Sequence, residues 1–137
     1  MQFRAVLRSA PGECPAELHD LSPARAVTLR DPSSSYCDHL GPAGFVLNRA
    51  PAILRAAAPG AGEVIVSLTA DQDRTYQHFL ASRGDAGIAV VALGMVQWAL
   101  PPGMTYLDLF SCRTPCVLFT AKNAIAAKQI VGALSDR

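Results

Sequence analysis

The sequence predicts an α+β fold: a two-layer sandwich in which an antiparallel sheet carries helices on one face. Three observations lead there. Strand-like apolar runs come in series and are followed by a helical pattern, twice over. The chain has 137 residues, the length of one domain and too short for an eight-unit βα barrel or two Rossmann halves. Half of its residues are hydrophobic and 17% are charged, which excludes intrinsic disorder. The expected organisation is a single domain over 1–137, with a loop or lid insertion at 9–44.

Each element follows from local pattern. Residues 3–7 alternate apolar and polar, as a strand does. The stretches 9–24 and 31–44 are rich in Pro, Gly and Ser and read as connections, with a short strand at 24–29 between them. Residues 48–58 are rich in Ala and Leu and read as a helix, with Pro51 in its first turn and Pro59-Gly60 ending it. Glu-Val-Ile-Val-Ser-Leu at 63–68 is a β-branched strand. Tyr76, Phe79 and Leu80 fall at helical spacing in 71–83, with Asp71 as cap and Gly84 as stop. The continuous apolar run 86–93 is a central strand. Further strands are expected at 95–100, 104–110 and 116–119. Thr120 is expected to cap a last helix over 121–134, with Ala126, Ile130 and Leu134 on one stripe.

Charge excludes one class of function. Twelve basic residues face eleven acidic ones, for a formal net charge of +1. A nucleic-acid partner held by phosphate neutralisation needs a basic excess, so none is expected. No apolar run approaches the ~18 residues of a membrane span, so no membrane partner is expected either. Residues 1–8 alternate too strictly for a signal peptide, which implies the cytoplasm. There Cys14, Cys37, Cys112 and Cys116 should be thiols. The C-x₃-C spacing of the last two, with no second Cys or His pair nearby, is poor evidence for zinc.

Residues 86–112 carry a more specific pattern: Ala86-Gly87, an apolar strand, Trp98, Pro101, and then Asp108-Leu109-Phe110-Ser111-Cys112. This pattern resembles the core of small bacterial S-adenosylmethionine decarboxylases. The resemblance implies S-adenosylmethionine, or a related amino-acid or nucleoside compound, as a small-molecule ligand, and a homodimer. It also implies a self-generated pyruvoyl cofactor, which the residues here exclude. The tripeptide at the processing position is Leu93-Gly94-Met95. Glycine has no hydroxyl to attack the preceding carbonyl, so no pyruvoyl group is expected and no cofactor replaces it. The expected function is therefore a decarboxylase-like ligand-binding protein or small biosynthetic enzyme without pyruvoyl chemistry. An inactive relative serving as a structural or regulatory partner is the alternative.

Cys112 matches the family's proton donor. A thiol beside Arg113 would have its ionisation favoured, so it is the candidate proton donor or acceptor, against the reading of an inert strand-end cysteine. Asp108 lies mid-strand and is the candidate carboxylate for a ligand amine or hydroxyl, against a solvated residue on an open sheet face. Trp98 and Tyr106 are candidates for stacking on a flat ligand, with Ser111 beside them, against plain core packing. A third reading drops the resemblance and makes Cys37 or Cys112 a nucleophile with His39 or His78 as base. The run Tyr36-Cys37-Asp38-His39 contains the residue types of a triad, but sequence neighbours rarely converge on one point.

Overall fold

Phe3 and Val6 come from the same N-terminal strand, yet both are buried, in two different clusters. The principal sheet therefore has two buried faces. The computed structural model describes residues 1–55, 62–103 and 115–135. The described strands are β1 (Gln2–Pro11), β2 (Val27–Arg30), β3 (Tyr36–Val46), β4 (Ala52–Leu54), β5 (Glu63–Ser67), β6 (Gly87–Ala92), β7 (Met95–Leu100) and β8 (Cys116–Thr120). The helices are α1 (Ala70–Ser82) and α2 (Ala124–Ser135). This is the expected α+β class, with the helices packed on antiparallel sheet.

Five strands form one sheet in the order β2-β3-β1-β6-β7, and three form a second in the order β4-β5-β8. The larger sheet curls until its two edge strands, β2 and β7, touch. On one of its faces Phe3, Phe45, Ile88 and Val90 meet Tyr76 and Phe79 of α1, Ala127 and Ile130 of α2, and Val64, Val66 and Phe119 of the smaller sheet. At its centre Phe3, Phe45 and Tyr76 stack with ring centroids 5.3 to 5.6 Å apart. On the opposite face Val6, Leu29, Leu40, Ala89, Val91 and Val96 form a smaller core, closed by Leu18 and Leu21 from the segment after β1. The apolar run of β6 thus reflects burial on both faces.

Polar staples close that second core. Arg4 is fully buried. Its guanidinium donates to Arg25 O at 2.6 Å, Gly41 O at 2.9 Å and Ser22 O at 2.8 Å, and its Nε donates to Gln2 Oε1 at 2.8 Å. Gln2 Nε2 in turn donates to Leu21 O at 2.9 Å. The segment 21–25 has little regular structure of its own and is tied down by one arginine and one glutamine.

Several expectations need correction. Residues 31–44 are not mainly a connection, because most of them belong to the eleven-residue β3. The Ala/Leu-rich stretch 48–58 is not helical in its described part. Ala52, Ile53 and Leu54 pair with Val66, Ile65 and Val64, so strand pairing overrides local propensity. The α1 cap is Thr69 rather than Asp71: Gln72 N donates to Thr69 Oγ1 and Thr69 N donates to Gln72 Oε1, a reciprocal capping box. Asn123, not Thr120, caps α2, its Oδ1 accepting from Ala126 N at 2.8 Å. The strand expected at 104–110 lies outside the described residues.

Leu93 and Gly94 both take positive φ, 57° and 77°, and link β6 to β7 as a two-residue turn. A side chain at residue 94 would press on Leu18 O, 2.5 Å from a Cβ there.

Candidate functional site

Four of the five residues expected to form a ligand site, Tyr106, Asp108, Ser111 and Cys112, lie outside the described residues. The fifth, Trp98, sits on β7 opposite Val90 and packs, half-buried, against the larger core. Gly87, part of the pattern that carries the family resemblance, has a clear structural use. A Cβ there would collide with the Leu100 carbonyl across the β6–β7 pair.

The cysteines depart from expectation. Cys14 and Cys37 form a disulfide with a Cα–Cα distance of 6.0 Å, joining the segment after β1 to the start of β3. Cys116 begins β8 opposite Ser67 and is also disulfide-bonded. No described cysteine is a free thiol. This corrects the expectation of reduced thiols, and it removes Cys37 as a nucleophile.

Strand alternation also separates the Tyr36–His39 run. Asp38 pairs with Ser9 of β1 and Leu29 of β2, while His39 pairs with Arg8 and Thr28. Neighbouring residues of a strand point to opposite faces, so Asp38 and His39 do not form a dyad. His39 Nε2 lies 3.3 Å from Arg8 Nη2, and Nδ1 lies 3.0 Å from Thr28 Oγ1. Arginine only donates, so Nε2 accepts and Nδ1–H points to the threonine. His78 sits exposed on α1.

Asp38 is the most perturbed acid among the described residues. It is 1% exposed, and its Oδ1 accepts from Ser9 Oγ at 2.6 Å. Its Oδ2 is buried without a donor. Burial pushes its pKa up to about 6, with the Ser9 hydroxyl opposing and the Asp31 carboxylate reinforcing. Asp31 itself is held low. Burial works against this, but the backbone and hydroxyl of Ser33, together with Asp38 and Ser34, prevail.

A second feature concerns main-chain groups. β2 covers β3 only at 37–40, so among the described residues no strand neighbours the far half of that β3 edge. There, Met1 and Leu47 exchange hydrogen bonds in both directions, at 3.0 and 2.8 Å. Antiparallel alternation then makes Gln2↔Val46 a non-bonded pair, which turns the Val46 N–H and C=O outward. Ala43 N also points outward and donates to Pro23 O at 2.8 Å. The N-terminal half of α1 runs beside this edge. Gly44 permits the approach, because a Cβ there would collide with the Phe79 ring. Between strand and helix lies an open groove of about 320 Å³, lined by Ala43–Val46 on one side and Asp71, Gln72 and Thr75 on the other. Sequence reading missed it. Gly41-Pro42-Ala43-Gly44 looks like a turn unless the β1 register is known.

Comparison with protein-family models, curated proteins and solved structures finds no match.

Proposed function

We propose that this chain is a polypeptide-binding module that accepts an extended segment along the free edge of β3. The observation that carries the reading is the outward-facing Val46 main chain beside the α1 groove. An incoming strand would satisfy those two groups and seat alternate side chains against Ala43, Phe45 and Thr75. The absence of a free thiol among the described residues further supports binding over thiol chemistry. The Cys14–Cys37 disulfide supports an oxidising compartment over the cytoplasm expected from the sequence.

The test is selection of linear ten-residue peptides from a displayed library, followed by amide shift mapping of the bound form. Peptides that perturb Val46, Gln72 and Thr75 support the reading. Val46→Pro removes the outward N–H without touching the β1 ladder, and should abolish that binding while the fold persists. Peptides that bind equally well to Val46→Pro, or that map elsewhere, would reject it.

The resemblance over 86–112 supports a second reading, in which S-adenosylmethionine or a related compound binds near Trp98 in a homodimer, without a thiol as proton donor. Calorimetry with S-adenosylmethionine and its decarboxylated analogue, alongside Trp98→Ala, tests it. Heat from either compound would favour this reading over a peptide module.

A further inference from the structure

Buried Asp38 and half-buried Asp31 form an acid pair that the polypeptide-binding reading does not use. Asp31 N donates to Tyr36 O at 2.9 Å, which closes the loop between β2 and β3. Asp31 Oδ1 accepts from Ser33 N and Ser33 Oγ, each at 2.8 Å. Leu29 lies opposite Asp38 in the hairpin register, so Asp31, two residues on, shares the Asp38 face, and the two carboxyl groups influence each other's ionisation. Two carboxylates cannot satisfy one another, yet Asp38 Oδ2 is buried with no other donor. A proton between them resolves both facts.

We propose that Asp31 and Asp38 are a proton-dependent clasp on the β2–β3 hairpin, closed when one proton bridges the two carboxyl groups and released when it leaves. The surrounding charges leave the pair alone with that proton. Arg8 and His39 bond to each other on the other face of the sheet. Arg30 pairs with Cys37, again on the face away from Asp38. From β1 the group facing Asp38 is the neutral Ser9. Glu13 and Glu17, on the segment that carries Cys14, are exposed. No cation among these compensates the ionised pair.

The direction of the pH effect follows. Asp38 has a folded pKa of about 6. Its unfolded value is about 3.9, so the folded chain holds this proton more tightly. The proton's contribution is complete below about pH 4 and is lost as pH rises through 6. Breakage of the clasp should loosen the hairpin end that the Cys14–Cys37 disulfide anchors.

Thermal unfolding of wild type and Asp38→Asn at pH 3.5 and pH 7.5 tests this. The amide can donate to Asp31 permanently, so the variant should match wild type at pH 3.5. It should exceed wild type in Tm by roughly 5 °C at pH 7.5. Protection of the Asp31 and Cys37 amides should fall over the same interval in wild type only. The Asp38 carboxyl carbon, followed by NMR in the unmutated protein, should titrate near 6. A difference between the two proteins that does not change with pH would overturn the proposal, as would an Asp38 that titrates at the ordinary value. So would selective stabilisation of wild type at pH 7.5 by millimolar calcium or magnesium, which would place a metal cation between the carboxylates instead.

Discussion

The two faces of the five-stranded sheet are closed by different physics. The helix side is sealed by apolar volume: three stacked aromatic rings, the inner faces of α1 and α2, and the valines of β5. Among the described residues the loop side holds six buried apolar residues, and its cover is attached by Arg4, Gln2 and a disulfide. A helix brings its own hydrogen bonds to an interface and needs only a greasy stripe. An irregular segment presents bare carbonyls and needs donors placed among them.

That contrast can be broken experimentally. Arg4→Ala should have the largest effect, about 5 kcal/mol, because it empties a large buried volume and strands three carbonyls. Urea unfolding measures it, and hydrogen exchange should show the loss concentrated in 18–26 and 41. Phe3→Ala should cost about 4 kcal/mol and act globally, since its ring touches both Phe45 and Tyr76. Equal loosening of both faces in Arg4→Ala would mean the two closures are not separable. Replacing Cys14 and Cys37 by alanine together should remove about 3 kcal/mol, as expected for a loop spanning 23 residues. Protease cleavage should then begin between β1 and β2. Thr69→Ala should cost only about 1 kcal/mol and fray the first turn of α1, which far-ultraviolet circular dichroism at intermediate urea would register.

The sheet side facing the helices was the legible part. β5, β6, β7, β8 and α1 follow from period and from β-branched or apolar runs, because burial leaves its mark on residue type. The stripe Ala126, Ile130, Leu134 was readable for the same reason. β3 was hidden. Its Pro42 and two glycines read as a turn, although an edge that no strand pairs with among the described residues tolerates proline, and Gly44 is required by the Phe79 ring. β4 was hidden because alanine and leucine favour a helix until β5 is present to pair with. The candidate site was less legible still. The Asp38–Ser9 contact, the Cys14–Cys37 bond and the outward Val46 main chain all depend on the β1–β3 register, which includes irregularities that no periodicity reveals.

The meeting of β2 and β7 has a bearing on solubility. An open five-stranded sheet would offer two lengths of unsatisfied backbone to any neighbouring copy, the usual opening for runaway stacking. Here curvature folds one terminus of the sheet against the other. Among the described residues the two edges are thus close together, though not hydrogen-bonded to each other, instead of lying at opposite ends of a flat sheet.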